Sequence, residues 1–198
     1  MGLTLNSNSL TLESSGDGGS SGLTQAQVEA FTDYKHLGTL TADASSELEF
    51  TGFESGYNTL KIIFDGLYLN STALIMSVYL DGASGSTETY LWTIEAASGA
   101  SDTVAGSVSD SAWRLTYNWN PNGEVTGQAI ISNADASVRT PVMSSILGGR
   151  DGNAALRFHT GGQLNSSHTG EVTGIRIRPS SGNFTHGKVY LYGLNKND

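Results

Sequence analysis

The sequence contains no cysteine and little charge, and each shortage excludes a class of protein. Without cysteine, the 198-residue chain has no disulfides, no thiolate nucleophile and no zinc-ribbon or iron–sulfur ligands. Charged residues make up 15% of the chain, whereas glycine, serine and threonine are abundant, which favours strands and turns over a helical bundle. We therefore expect one domain with a short tail, stabilised by its core or by assembly.

Positive charge is also scarce, with 10 lysines and arginines against 19 aspartates and glutamates and a net charge of −9. Nucleic acids and anionic membranes attract clustered Lys and Arg, so we expect neither as a partner. The N-terminus lacks the basic start and apolar run of a cleaved leader, and no stretch approaches the roughly 18 apolar residues needed to span a bilayer. The sequence thus predicts a protein without membrane insertion.

The N-terminal part of the chain differs in composition from the rest. Residues 1–22 are rich in Ser, Gly and Asn and are predicted to be a flexible arm, in which a Leu-Thr-Leu triplet occurs twice. Extended geometry puts the two leucines of each triplet on one face, which predicts an anchoring interface at Leu3, Leu5, Leu10 and Leu12. The alternative is a disordered terminus.

A single short helix is predicted after the arm. Thr24 and Gln27 have the spacing of a capping box, so a helix is expected over 25–33, within a connector at 23–36. This helix is expected to close one end of the β-domain that follows.

Residues 37–198 alternate apolar and polar side chains with a period of two, which is typical of strands with one buried face. Turn signals separate the strands, including Asp65-Gly66 and the group at 120–123, Asn-Pro-Asn-Gly, which is the strongest hairpin signal. Many short strands without intervening helices predict an all-β, antiparallel, jelly-roll-like β-sandwich. About ten strands are predicted, around 48–50, 156–158 and 175–177 and at 59–67, 74–81, 87–95, 112–118, 124–132, 138–147 and 188–194.

No catalytic site, metal site or cofactor is predicted. Residues 18–22 match the spacing of a nucleophile elbow but lie in a linker. Residues 182–188 match the spacing of a phosphate-binding loop, but they lead into a strand and are interpreted as a hairpin turn. The four histidines have no ligand spacing. A glycosidase is the enzymatic alternative, because four glutamates lie on predicted strands, although nothing selects two of them: Glu47, Glu49, Glu88 and Glu95.

The aromatic residues have two interpretations, core packing and sugar stacking. Tyr90 and Trp92 share a strand face with Ile94, which predicts core packing. A second stripe, from Trp113 to Trp119, also points inward but ends near the Asn-rich turn, so Trp119 is the aromatic residue most expected to be exposed. The sequence therefore predicts a candidate glycan contact at Tyr117, Trp119, Asn120 and Asn122.

The first two thirds and the last third of the chain carry net charges of opposite sign. Residues 1–138 hold 3 of the 10 basic and 16 of the 19 acidic residues, whereas residues 139–198 hold 7 and 3. One interpretation is a subunit interface in which a single basic face meets the acidic part of another copy. The alternative is that the basic strands neighbour acidic strands in one sheet and form cross-strand pairs. The residues concerned are Arg157, Arg176, Arg178 and Lys188.

Both ends of the predicted β-domain carry a family signal. Residues 173–194, Thr-Gly-Ile-Arg-Ile-Arg-Pro-Ser-Ser-Gly-Asn-Phe-Thr-His-Gly-Lys-Val-Tyr-Leu-Tyr-Gly-Leu, resemble the closing hairpin of a group of tailed-bacteriophage virion proteins. Residues 37–42, 48–52 and 57–62 are similar to the first strands of the same group. The resemblance implies a jelly-roll or β-sandwich subunit of a head decoration, head fibre or tail fibre, commonly trimeric and without catalytic residues.

The sequence therefore predicts a non-enzymatic structural protein of a phage virion, a capsid decoration or head- or tail-fibre-type subunit held by its N-terminal arm. The expected partners are further copies of the chain, with a trimer favoured, and a phage capsid or tail protein. The alternative is a carbohydrate-binding module that serves adsorption to a host surface glycan.

Overall fold

The computed structural model describes most of the chain: residues 2–6, 9–13, 22–23, 34–54, 56–71, 73–81, 89–98, 101–117, 123–135, 140–151, 154–165 and 170–194. The described residues form fifteen β-strands, and none of them lies in a helix. The chain divides into two compact units, Met1–Lys35 and His36–Asp198. None of the described residues belongs to a helix long and apolar enough to cross a membrane.

The N-terminal unit contains a small sheet with the strand order β1-β2-β3, formed by β1 (Gly2–Asn6), β2 (Ser9–Glu13) and β3 (Gly22–Leu23). Each Leu-Thr-Leu triplet lies in a strand, and the antiparallel register pairs Leu3 with Leu12 and Leu5 with Leu10. The triplets are therefore extended and paired with each other. The helix predicted over 25–33 lies outside the described residues and stays a prediction.

The large sheet has the strand order β4-β15-β6-β11-β12-β13-β8-β9. Strand β12 alternates between the two faces: Met143 and Leu147 are buried in the core, whereas Val142 and Ile146 are exposed on the outer face. The strands are β4 (Tyr34–Thr41), β6 (Thr59–Leu69), β8 (Tyr90–Ser98), β9 (Ser101–Asp110), β11 (Gly123–Ser132), β12 (Val142–Asp151), β13 (Ala154–Leu164) and β15 (Phe184–Leu194).

A four-stranded sheet with the order β10-β7-β14-β5 forms the second layer. Its strands are β5 (Leu48–Thr51), β7 (Leu74–Leu80), β10 (Trp113–Arg114) and β14 (Val172–Pro179). One apolar core joins the layers, since Phe64 and Val125 of the large sheet and Met76 and Ile177 of the small sheet are all fully buried in it. Burial of one face of each sheet against the other stabilises the fold without disulfides. The predicted antiparallel β-sandwich is thus confirmed.

The aromatic core was predicted correctly for β8 and only in part for the following segment. Tyr90, Trp92 and Ile94 are at most 5% exposed, as their shared strand face requires. The strand predicted over 112–118 is too long, because within the described residues 112–117 only Trp113–Arg114 forms a strand. Both Leu115 and Thr116 are buried, so the alternation that would define a strand ends after two residues.

The glycine of Asp65-Gly66 marks a bulge within a strand, so the turn predicted there is wrong. Both residues lie inside β6, where Gly66 has a φ of +57°. The register between β6 and β11 shifts at this point, between Val125 and Gly127. A single residue with positive φ is tolerated in a strand as a β-bulge, so the pattern that resembles a turn does not end the strand.

Two further turn signals connect the sheets and do not close hairpins. The Asn-Pro-Asn-Gly group at 120–123 separates β10 of the small sheet from β11 of the large sheet. The Ser-Ser-Gly-Asn group at 180–183 likewise leads from β14 to β15, which lie in different sheets. The Ser180 N–H donates to the Ala73 carbonyl at 2.8 Å, and the Phe184 N–H donates to the Ser45 carbonyl at 2.8 Å. The expected hairpins are therefore crossings from one layer of the sandwich to the other.

Candidate interaction surfaces

Arg176 lies on β14 in the small sheet and is the centre of a charged cluster. Its register partner is Glu49 on β5, and the Arg176 Nε lies 2.7 Å from Glu49 Oε1 and 3.5 Å from Glu47 Oε2. The Tyr79 hydroxyl on β7 donates a 2.5 Å hydrogen bond to the same Glu49 oxygen. The Arg176 guanidinium also lies 5.3 Å from the centroid of the Tyr79 ring. Arg176 is therefore engaged by neighbours in its own sheet.

The cluster shifts the protonation equilibria of its members. The hydrogen bond from Tyr79, followed by that from Arg176, lowers the pKa of Glu49. Burial and the hydrogen bond to Glu49 raise the pKa of Tyr79, and the hydrogen bond to Glu49 raises the pKa of Arg176. Glu49 is thus held as a carboxylate, whereas the general acid of a glycosidase needs a raised pKa.

The remaining glutamates considered for glycoside hydrolysis are placed apart from this cluster. Glu95 lies on β8 in the large sheet, where its Oε1 is 3.9 Å from the Arg157 Nη2. Glu88 lies outside the described residues. Glu47 and Glu49 both lie beside Arg176, at 3.5 and 2.7 Å from its Nε, and the pKa of Glu49 is lowered there.

The four basic residues that predicted a single basic face are divided between the two sheets. Arg157 and Lys188 lie on the large sheet, and Arg176 and Arg178 lie on the small sheet. The prediction of one shared face is therefore corrected, and the cross-strand alternative describes the geometry better. Arg157 and Arg176 have glutamate partners, and Lys188 lies opposite Asp65 in the register. A role of these residues in a subunit interface stays a prediction.

Of the four residues predicted to contact a glycan, the structure describes only Tyr117. Tyr117 is half-buried, and the Arg114 guanidinium lies 6.0 Å from its ring centroid and 5.6 Å from that of Trp92. The Trp92 indole N–H donates to Asp110 Oδ2 at 3.1 Å. Tyr117 is therefore part of a packed arginine–aromatic group. Trp119, Asn120 and Asn122 lie outside the described residues, so their part in a glycan site stays a prediction.

The edge strand β9 is a surface that the sequence analysis missed. It is the last strand of the large sheet, is 10 residues long and contains neither Lys nor Pro. Val104 and Val108 on it are 78% and 79% exposed. Their spacing of four places both valines on one strand face. This spacing was the only sign of a strand in the sequence, because the surrounding Ser, Gly and Asp residues are typical of a loop.

A groove of about 440 Å³ lies beside this edge strand. It is bordered by Val108, and Val142 of β12 is 41% exposed at its other side. Gly161 leaves its floor open, because an added Cβ there would meet no atom within 4 Å. The lining residues are Leu91, Trp92, Thr93, Ser107, Val108, Val142, Gly161, Gly162 and Gln163. We call this groove together with Val104 the β9 edge surface.

Within the described ranges, no three His, Asp or Glu side chains are grouped so that they could hold one metal ion. Comparison with protein-family models, with curated proteins and with solved structures found no match. The fold and its surfaces define a class only: an antiparallel β-sandwich of two unequal sheets with an exposed aliphatic edge.

Proposed function

We propose that this protein is a non-enzymatic structural subunit of a bacteriophage particle, a capsid decoration or head- or tail-fibre-type subunit that associates with further copies of itself. The observation that carries the proposal is the β9 edge surface. Native proteins protect long edge strands with Lys, Pro, short length or a β-bulge, and of these β9 has only a bulge near its C-terminal end, beyond Ser107. The resemblance of residues 37–42, 48–52, 57–62 and 173–194 to phage virion proteins supports the location in a virion.

Association through β9 fits the other properties of the chain. A particle subunit must persist without disulfides, and burial of Val104 and Val108 against another copy adds stability that the isolated sandwich lacks. A trimer is the favoured assembly, and a jelly-roll-like arrangement of the subunit belongs to the same proposal. The C-terminal arginines contribute less to this contact, since Arg157 and Arg176 have partners within their own sheets.

The assembly proposal is tested by placing charge on the edge strand. Val104→Lys combined with Val108→Lys is expected to convert the assembly to monomers that stay folded, with a thermal unfolding midpoint lowered only by the lost burial between subunits, because both side chains are exposed in the single subunit. Sedimentation of the variant and the parent protein measures the change. Thr51→Lys, at an exposed position of β5, is the matched control and is expected to assemble normally. Normal assembly of the double variant would contradict the proposal.

The N-terminal unit is proposed as the anchor to a capsid or tail protein. Its paired leucine triplets form a β-hairpin register that a partner sheet can extend by adding a strand. A chain lacking residues 1–22 is expected to keep a folded β-sandwich but to be absent from purified particles. Incorporation of the truncated chain at the normal level would exclude the anchor.

A carbohydrate-binding role in adsorption to a host surface glycan is the second candidate function. It is favoured by the half-buried tyrosines Tyr190 and Tyr192 on the outer face of the large sheet, because aromatic rings stack on sugar rings. For the site predicted from sequence, Trp119→Ala is expected to abolish glycan binding. Unchanged binding in that variant would remove this site from consideration.

A further inference from the structure

A second groove, of about 560 Å³, crosses the outer face of the large sheet away from β9. Four neighbouring strands contribute to it, namely β15, β6, β11 and β12. Its volume lies within the range of sites that enclose small-molecule ligands. The lining residues are Ile63, Phe64, Asp65, Thr126, Gly127, Gln128, Ile146, Tyr190 and Tyr192. We call it the tyrosine groove.

The tyrosine groove lies where the backbones of β6 and β11 both depart from regular geometry. Gly127 has a φ of +148°, and an added Cβ there would collide with the carbonyl oxygen of Ile146. Across the pair, Gly66 has a φ of +57°, and its N–H donates to Thr126 Oγ1 at 3.2 Å. Bulges of this kind redirect side chains and are common beside binding sites. The close approach of β12 at this point therefore requires glycine at position 127.

The strand register places four of the lining side chains in one row. Tyr190 is opposite Ile63, Ile63 is opposite Gln128, and Gln128 is opposite Ile146. One row therefore joins an aromatic ring, an amide and two aliphatic side chains. Tyr192 lies on the same strand face as Tyr190, and its ring contacts that of His36 at a centroid distance of 5.3 Å, which fixes its position.

We infer that the tyrosine groove binds a neutral oligosaccharide. Sugar rings present C–H faces that pack on tyrosine and isoleucine side chains, and hydroxyl groups that need hydrogen-bond partners at fixed positions. Gln128, Thr126 and Asp65 supply an amide, a hydroxyl and a carboxylate in the same groove. The Tyr190 hydroxyl lies 3.5 Å from Asp65 Oδ2, so a single sugar ring bound there contacts both the carboxylate and the tyrosine ring.

Charge selects neutral over acidic saccharides. Asp65 carries the charge among the residues that line the groove, Lys188 lies opposite it in the register but does not line the groove, and the chain as a whole has a net charge of −9. A uronate or sialate would bring a second negative charge toward this carboxylate, which is unfavourable at short range. The inference is independent of self-association, because the tyrosine groove shares no lining residue with the groove at β9.

The test is titration calorimetry of the full chain with soluble neutral hexose and N-acetylhexosamine oligosaccharides and with a uronate oligosaccharide. Binding is expected for at least one neutral probe and not for the uronate. Tyr190→Ala and Tyr192→Ala are each expected to weaken binding about tenfold or more, since each removes a ring at the centre of the contact. Tyr192→Phe keeps the ring and is expected to retain most of the affinity.

Matched controls separate the groove from the site predicted from sequence. Tyr68→Ala removes a half-buried tyrosine of β6 that lines neither site and is expected to bind as tightly as the parent protein, whereas Tyr117→Ala tests the site predicted from sequence. A thermal unfolding scan of each variant shows whether lost binding reflects lost folding. Absence of binding to every neutral probe, preference for the uronate, or loss of binding in Tyr117→Ala alone would overturn the inference. Sedimentation tests assembly separately, so either proposal can fail alone.

Discussion

Glu49 shows how one carboxylate satisfies both a tyrosine and an arginine on neighbouring strands. Its Oε1 accepts hydrogen bonds from Tyr79 and Arg176, which lie on strands β7 and β14. These donors lower the pKa of Glu49 below the ordinary value of 4.5. The interaction links β5, the short edge strand of the small sheet, to the two strands beyond it.

This lowered pKa makes stability depend on pH in a defined direction. The unfolded chain takes up the proton near 4.5 and the folded chain only at lower pH, so the contribution is complete above 4.5 and is lost as pH falls through the folded-state pKa. Glu49→Gln is expected to cost less than about 1 kcal/mol at pH 7. Denaturant unfolding at pH values from about 6 down to about 3 should show that the free energy of unfolding declines less steeply for the variant than for the parent protein. An equally steep decline would contradict this assignment.

Ser145 and Thr160 are buried polar residues in the core that lie opposite each other on β12 and β13. Both are 5% exposed, and neither hydroxyl oxygen has a hydrogen-bond partner among the described residues. A buried hydroxyl without a partner costs free energy that an apolar group of the same shape does not.

Thr160→Val keeps the shape of the side chain and removes the unpaired hydroxyl. It is expected to raise the free energy of unfolding by about 1 kcal/mol, measured by denaturant titration. Thr103→Val at an exposed position of β9 is the control and should change stability by less than about 0.5 kcal/mol. A destabilised Thr160→Val protein would mean that the hydroxyl is hydrogen-bonded in solution.

At the scale of strands, bulges and edges distinguish this sandwich from a regular one. The bulge at Gly127 requires a backbone conformation that L side chains rarely adopt. Gly161 on β13 has no positive φ and no atom within 4 Å of an added Cβ. The backbone at position 127 therefore requires glycine, whereas the backbone at position 161 accommodates a side chain.

Gly127→Ala is expected to destabilise the fold by about 1–3 kcal/mol, because the added Cβ both strains the backbone and meets the Ile146 carbonyl. Gly161→Ala is expected to be nearly neutral. Thermal unfolding of both variants measures the difference. Equal effects of the two substitutions would show that the bulge at Gly127 is not required.

Strand prediction from the sequence succeeded where one face of a strand is buried. In β8 and β12 the alternation of apolar and polar residues is a direct consequence of that burial, so it was visible. Strand β9 was missed because both of its faces are largely exposed, so no alternation is required. The turn signal at Asp65-Gly66 misled for the opposite reason, since a bulge uses the same positive φ as a turn.

At the scale of the whole molecule, part of the separated charge of the chain is paired within the subunit. Arg157 and Arg176 from the C-terminal strands pair with glutamates from the N-terminal half. Composition shows that opposite charges are separated along the sequence but not that strand order brings them together. The tyrosine groove was hidden for the same reason, because Tyr190 and Gln128 become neighbours only through the order β15-β6-β11.

Salt dependence distinguishes an aliphatic interface from a charged one. Each copy carries a net charge of −9, so copies repel each other and screening reduces that repulsion. We expect association to be unchanged or stronger when NaCl rises from about 0.05 to 0.5 M, as sedimentation will measure. Weaker association at high salt would favour an interface built on the C-terminal arginines and lysine.

The most direct test of an assembly subunit is the mass of the purified full chain in solution. The β9 edge surface, in which Val104 and Val108 are more than three-quarters exposed, predicts a multiple of the 20.8 kDa subunit mass, with the trimer favoured. Light scattering across a range of protein concentrations gives this mass without labels. A mass of one subunit at every concentration would contradict the proposed function.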